Sequence, residues 1–474
     1  MPMPGNVADD RLLLIDAVAD ERRVALLENN RISRIWLDRG GPRRFDIHIG
    51  RISRVMPEMG AAMVVLAGCD DGLLPLDRID GPVHEGQWVI VQISRLGFED
   101  KGPKLTGRIA IEGPGMIMRP TGGMIDIPRK IADPQTRDRL AATLKALAIK
   151  GESVTLRTSA ANWDEAALHG AFSRLRAIWD KAVGAQKNAT RPVRVFQALS
   201  EIDQVIEHHL MAGAPCIVDG MAEYIRLRGM LRAHGASDAA LSAHKGETLL
   251  FDSDGVEAAL EDALATRIAL PGGGWISIEA TTALCAIDVN AGGAQTGQNA
   301  ARRNLDVNLS AAAEIVHQVR LRNLGGLVVI DPIRMPGRAA RDAFDAVIKQ
   351  GFAAETDGAV QIGGFTRLGL YEFSRQRSGA DLASLMFESD SAASPGPGRK
   401  LCRDTAANKV LRCLVAEMRH RPMGGVRLRL HPDILQWSAE RESFRRILGD
   451  IFGGLPPCNA DPTLARHEYV IERD

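Results

Sequence analysis

Continuous apolar runs and a helical apolar period alternate along this chain, and residues 283–331 carry both. Ala283-Leu284-Cys285-Ala286-Ile287 and Leu327-Val328-Val329-Ile330 are short continuous apolar runs, the pattern of buried parallel strands. Between them Leu305, Leu309, Ala312, Ile315, Val316 and Val319 fall on one face of a helix. Gly325-Gly326 supplies its stop signal. Strand, helix, strand predicts a βαβ unit whose crossover makes the strands parallel. Parallel strands end on one sheet edge, where open α/β folds bind ligands. An aspartate follows each run, Asp288 and Asp331, so two carboxylates are predicted side by side. Asn290 lies two positions past Asp288, on the same face of an extended chain. Two carboxylates and a neutral amide oxygen suit a hydrated divalent cation such as magnesium. An aspartate after a strand also serves as a helix N-cap or turn former, and that alternative stays open.

The same patterning divides the rest of the chain. Leu12–Val18, Arg23–Leu27 and Ile32–Leu37 read as strands, with Asn29-Asn30 as a turn. From Ile47 to Ile111 short apolar runs alternate with Gly and Asp: Ala61–Leu66, Gly72–Leu76, Trp88–Ile93 and Lys104–Ile111. That spacing predicts a small five-stranded barrel. Val154–Thr158 is a further strand, while Trp163–Val183 and Val195–Leu210 have helical periodicity. Glu388 to Lys400 is rich in Ser, Pro and Gly and reads as a flexible linker. Beyond it come a helix Thr405–Met418, a strand Val426–Leu430 and a helix Ser438–Ile451.

Composition narrows the function. The 474 residues suggest several domains, and 45% hydrophobic with 25% charged content is that of a globular protein. With 59 basic against 59 acidic residues the net charge is zero, so a generic polyanion binder is excluded and nucleic-acid contact needs local clusters. The six cysteines, Cys69, Cys216, Cys285, Cys402, Cys413 and Cys458, form no C-x-x-C. Reduced thiols in the cytoplasm are expected. The apolar run Leu12–Ile15 is too short for a signal peptide, and no window is long enough to span a membrane. The histidines give no H-x-x-x-H, and no phosphate-binding Walker loop occurs; Gly272-Gly273-Gly274 reads as a turn.

Three ordered segments resemble the ribonuclease E/G family: Ala286-Ile287-Asp288-Val289-Asn290, the stretch Val319 to Asp331, and Arg367 to Arg377 with Gly369-Leu370-Tyr371-Glu372-Phe373-Ser374-Arg375 at its centre. The resemblance runs from the N-terminus to about residue 380 and is nearer the short, ribonuclease G-like form. It implies a magnesium-dependent endoribonuclease acting on single-stranded RNA, with Asp288 and Asp331 as metal ligands and Asn290 beside them. The implied architecture is a multidomain α/β chain. An RNase H-like domain (1–40 and 191–266) is interrupted by an S1-type OB-fold (41–112) and a 5′-sensor region (113–190). A DNase I-like catalytic subdomain (267–387), a linker (388–400) and a small C-terminal α/β piece (401–474) follow.

The resemblance also assigns RNA contacts. Lys101 on the barrel would touch RNA, and Gly113, Ile117, Arg157 and Thr158 would form a pocket for a 5′-monophosphate. An arginine fork and a threonine hydroxyl suit a phosphate, and glycine lets backbone approach an anion. Arg51, Arg54, Arg95, Lys104 and Arg108 supply barrel cations, while Arg320, Arg322, Arg367, Arg375 and Arg377 flank the metal edge as phosphate contacts or as ion-pair partners. Several positions depart from the family. Met63 and Leu73 stand where base-stacking aromatics are used, Arg334 and Thr282 replace acidic residues, and the zinc-binding Cys-Pro-x-Cys link is absent. No structural zinc is expected. A homo-oligomer is admitted, with a geometry the sequence does not fix. The alternative function is a catalytically weak RNA-binding or assembly protein on the same fold.

Overall fold

The computed structural model describes residues 11–97, 102–113, 115–149, 151–281, 283–292, 300–335, 337–353, 355, 359–376, 379–390, 398–421 and 425–473. The chain forms two compact units, residues 1–39 with 205–474, and residues 40–204.

In the first unit, β1 (Arg11–Asp16), β2 (Arg22–Glu28) and β3 (Arg31–Asp38) form an antiparallel meander. Asn29 and Asn30 turn its second corner, both at positive φ, as a tight two-residue hairpin requires. β14 (Cys216–Asp219) and β15 (Leu241–Ala243) extend the sheet on the other side of β1, parallel to it, giving the order β15-β14-β1-β2-β3. Leu14, Ala25 and Ile35 pack against Leu250, Phe251 and Leu260.

The second sheet of this unit has the order β16-β17-β18-β19-β21-β20. Its strands are β16 (Arg267–Ala269), β17 (Trp275–Ala280), β18 (Leu284–Asn290), β19 (Gly326–Asp331), β20 (Val360–Phe365) and β21 (Tyr371–Arg375). β18 and β19 are parallel and joined by the helix Ala300–Leu321, as the βαβ pattern predicts. The runs are not buried on both faces, however. Cys285, Ile287, Val289, Val328 and Ile330 pack under Ala312, Ile315, Val319, Phe344 and Ile348, while Ala286, Asp288, Leu327 and Asp331 are exposed. Both covering helices lie on one side, and antiparallel β17 and β21 flank the parallel pair. A mixed sheet tolerates a solvated face, and the small or apolar residues on that face made the runs look continuous.

The C-terminal piece contains the helix Arg403–His420, β24 (Val426–Leu430), two further helices, β25 (Cys458–Ala460) and β26 (Tyr469–Arg473). The helix expected at Ser438–Ile451 is two helices, Pro432–Ala439 and Glu442–Phe452. Pro432 starts the first one early, and Trp437 and Phe444 meet edge to face across the break, 5.5 Å apart. The expected linker is structured at its ends: β22 (Phe387–Asp390) pairs with β23 (Gly398–Leu401).

In the second unit, β4 (Ile47–Met56), β5 (Ala61–Val65), β6 (Gly72–Pro75), β8 (Lys104–Thr106) and β7 (Trp88–Arg95) close on one another through β4–β7. This is the expected five-stranded OB-like barrel, and Ile52, Val64, Leu74, Val91 and Leu105 fill it. A sixth strand, β13 (Val193–Phe196), adds to β4. The periodicity had suggested a helix from Val195; the helix begins instead at Glu201. Its start is fixed by Ser200 and Asp203, each side chain accepting from the other's backbone amide at 3.0 and 3.1 Å. A smaller sheet has the order β11-β12-β10-β9, from β9 (Ile111–Gly113), β10 (Met116–Arg119), β11 (Ile125–Asp126) and β12 (Ser153–Leu156). Its core face packs on the helices Pro134–Leu147 and Glu165–Lys187. No described helix is long and apolar enough to cross a membrane.

Candidate functional site

Strand register decides where the two aspartates sit. Asp288 pairs with Asp331 across β18 and β19, and both are exposed on the helix-free face. Asn290 shares that face, and its Nδ2 donates to Asp288 Oδ2 at 2.5 Å, leaving its amide oxygen for another partner. Glu372, opposite Val329 on β21, adds a carboxylate to the same face. Among the described residues, no three or more His, Cys, Asp or Glu side chains gather as a metal-holding group. The cluster is therefore two carboxylates and an amide, an oxygen set that magnesium accepts with water completing its shell.

Two supports around this cluster were not read from the sequence. Asn308, fully buried on the crossover helix, donates from Nδ2 to the Ile333 carbonyl at 2.7 Å and accepts from the Ile333 amide at 3.0 Å. It thereby pins the turn that leaves Asp331. Its place one turn from Leu305 and Ala312 on the buried face was the available signal. Gly274 has φ +87° and its missing Cβ would lie 2.4 Å from the Asn290 carbonyl, so the chain there can approach Asn290 only as glycine. The Gly272-Gly273-Gly274 run is the turn before β17, all three residues at positive φ.

Most arginines assigned to the metal edge serve the fold. Arg375 is buried, donating to Asn323 Oδ1 and the Leu324 carbonyl at 3.0 Å each. Arg322 is buried against Gln318 and the carbonyls of Asp262 and Ala265. Arg320 bonds Glu28 at 3.0 Å. These three are ion-pair or carbonyl partners rather than phosphate contacts: Arg320 and Arg322 lie at the end of the crossover helix and Arg375 pairs with Gly326 at the start of β19, five residues before Asp331. Arg334 and Arg367 are exposed. Thr282 and Arg377 lie outside the described residues.

In the small sheet, Ile117 faces away from the core with Thr155 opposite on β12 and Glu112 opposite on β9. Gly113 is opposite Met116, and a Cβ there would meet Leu175 at 2.8 Å. The expected strand ends at Leu156, so Arg157 and Thr158 open a short 3-10 turn and are exposed. Arg157 donates its amide to the Gly115 carbonyl at 2.8 Å and a guanidinium N–H to Glu112 at 2.8 Å. Gly113, Ile117, Arg157 and Thr158 thus gather at one end of this sheet. Arg119, which sequence reasoning passed over, joins them by donating to Thr155 Oγ1 at 3.2 Å.

On the barrel, Arg54, Met63, Leu73, Lys104 and Arg95 are successive register partners across five strands. Two apolar side chains are thus flanked by cations on one exterior row. Arg108 bonds the Asp77 carbonyl and Arg51 lies over the Trp88 ring, 6.0 Å from its centre. Lys101 lies outside the described residues.

Comparison with known proteins agrees with this arrangement. The profile of the Ribonuclease E/G family matches residues 110–378. Ribonuclease E of Synechocystis is 28% identical over 388 residues, covering 78% of this chain and 57% of that protein. Ribonuclease E of Escherichia coli is 30% identical over 395 residues, 77% of this chain and 37% of that protein. Ribonuclease G of Escherichia coli is 26% identical over 395 residues, 77% of this chain and 80% of its own length. The chain spans about half the length of the ribonuclease E relatives it matches. The family match covers more than half of the sequence, including both aspartates and the small sheet, and the chain belongs to the ribonuclease E/G family.

Proposed function

We propose that this protein is a magnesium-dependent endoribonuclease that cuts single-stranded RNA and favours 5′-monophosphorylated ends. The carrying observation is the register pairing of Asp288 with Asp331 on an open face, beside Asn290. Asp288 and Asp331 would hold the ion, with the free oxygen of Asn290 as a neutral donor, and this set fits magnesium. Bound there, magnesium supplies charge neutralisation at the scissile phosphate and a more acidic water, for products with a 3′-hydroxyl and a 5′-phosphate. The protein's own part is positional. Asn290 orients the Asp288 carboxylate, and Asn308 fixes the turn beyond Asp331. The barrel row and Lys101 would track the strand, while Arg157 and Thr158 would take a terminal phosphate.

A second reading is a catalytically weak RNA-binding protein, favoured by Met63 and Leu73 on the barrel row and by Arg334 near the metal edge. Cleavage of a 5′-monophosphorylated single-stranded RNA, with and without magnesium, separates the two. Asp288→Asn and Asp331→Asn should each abolish magnesium-dependent cleavage while leaving the circular dichroism spectrum intact. RNA binding without cleavage by the unaltered protein would establish the second reading. The proposal includes no structural zinc, since Cys402 and Cys413 lack paired-cysteine spacing. Elemental analysis of tag-free protein should show far less than one zinc per two chains.

A further inference from the structure

The outer face of the small sheet carries a second arginine whose position follows from register. Asp126, Thr155, Ile117 and Glu112 are successive partners across β11, β12, β10 and β9. Ile117 is the centre of this row. Arg157 reaches the Glu112 side of it with a 2.8 Å ion pair. Arg119, exposed and two residues beyond Ile117 on the same face, reaches the Thr155 side. Adjacent strands are about 4.8 Å apart. The two guanidinium groups are therefore anchored on strands two spacings, roughly 10 Å, apart, one to either side of Ile117. Each fork has five donors, and the bonds to Thr155 and Glu112 fix the forks without filling them. The Glu112 carboxylate balances Arg157, whereas Arg119 makes no ion pair with Asp126 or any other described carboxylate.

We propose that Arg119 is a second phosphate-binding arm of this patch, so that the patch takes two adjacent phosphates at an RNA 5′ end rather than one. This rests on the end-sensing part of the proposed function. A lone arginine would neutralise one phosphate and leave its neighbour in repulsion with the patch's carboxylates. A pair of forks on either side of Ile117 matches two linked anions and leaves the isoleucine against the first sugar or base. The second phosphate is the first internucleotide phosphate, the one neighbour that a monophosphorylated end always carries.

The test is binding by the full chain, in magnesium-free buffer, of a 3′-labelled single-stranded RNA followed by fluorescence anisotropy. Its 5′ end is hydroxyl, monophosphate or triphosphate, and a further RNA carries a methylphosphonate at its first linkage. Arg119→Gln, which keeps a donor for Thr155, should weaken 5′-monophosphorylated RNA about tenfold or more and lower the salt slope by about one. It should barely affect 5′-hydroxyl RNA. Its loss should combine with that of Arg157→Gln less than multiplicatively. If the methylphosphonate erases the Arg119 effect, the partner is the internucleotide phosphate. An Arg119 effect that survives the methylphosphonate, or that appears only on triphosphorylated RNA, overturns this assignment. An unchanged affinity, or an equal loss on hydroxyl and phosphorylated RNA, overturns the proposal. A wild-type protein with no preference for a 5′-phosphate refutes the end-sensing reading itself, which is a different result from an intact preference that ignores Arg119.

Discussion

Asp16 and Asp219 are register partners at the ends of the parallel strands β1 and β14, the same relation that joins Asp288 to Asp331. The two pairs differ in their surroundings. Asp16 is buried and receives Arg23 Nε at 2.8 Å and Arg412 Nε at 3.0 Å. Asp219 receives Arg419 and the Leu250 amide. Arg412 and Arg419 both come from the helix Arg403–His420. Register at a parallel edge thus juxtaposes carboxylates in both sheets; in the first arginines neutralise them, and in the second they face solvent.

The arginine-filled pair sets an acid limit on the fold. Burial alone would raise the carboxyls of Asp16 and Glu21, but Arg23 and Arg412 hold the first below its ordinary 3.8, and Arg412 and Arg39 hold the second below 4.5. Their folded values lie below their unfolded ones. Their contribution to stability is therefore complete above about pH 4.5 and is lost as pH falls through the depressed folded values. Arg412→Met removes a partner of both, so it should destabilise the protein by about 3–5 kcal/mol and shift acid unfolding to higher pH. Circular dichroism against pH and urea checks this; an unchanged acid midpoint would contradict it.

Asn308 should matter to catalysis without touching RNA. Asn308→Leu leaves the Ile333 amide and carbonyl without their partners, at about 1–3 kcal/mol for each buried group. Urea unfolding should report that loss, and cleavage should fall mainly in kcat, since the displaced turn follows Asp331. A variant of normal stability and normal kcat would remove Asn308 from the positioning role.

The barrel row invites a gain of affinity. Met63→Phe or Leu73→Phe would place a stacking ring between Arg54 and Lys104. Stacking on an aromatic is worth about 1–3 kcal/mol per base, so affinity for unstructured RNA should rise on the order of five- to a hundredfold. Anisotropy titration at fixed salt measures it. No gain from either variant would move the RNA path off this row.

Arg157→Ala should lower the preference for monophosphorylated over triphosphorylated RNA. One charge-assisted contact is worth roughly 1.5–3 kcal/mol, on the order of ten- to a hundredfold in the relevant constant. Cleavage of RNA entered internally should fall less. Equal losses on all substrates would mark Arg157 as a structural residue held by Glu112.

The edge that pairs Asp288 with Asp331 was legible because topology did the work. A short continuous apolar run, a helical period and a second such run oblige parallel strands, and Asp288 and Asp331 then meet without any long-range information. The barrel was legible from turn spacing in the same way. One-sided burial was not, because Ala286, Leu327 and Val329 look like core whichever face they take. The Ser200–Asp203 cap was hidden inside a run that also fits a longer helix. Arg320, Arg322 and Arg375 could not be told from phosphate ligands, since a cation's partner is set by tertiary packing. The place of Arg119 beside Thr155 depends on which residue stands opposite Ile117, and one chain read linearly does not contain that pairing.

The helix that carries Arg412 and Arg419 also brings Leu414 into a core shared with Trp437, Phe444 and Ala19. A chain ending at residue 400 would keep Asp16, Glu21 and Asp219 but lose these countercharges and that apolar cover. Residues 401–474 are therefore not a detachable appendage. They share one compact unit with the N-terminal sheet, so trimming them would bare its buried carboxylates and apolar surface while leaving Asp288 and Asp331 in place.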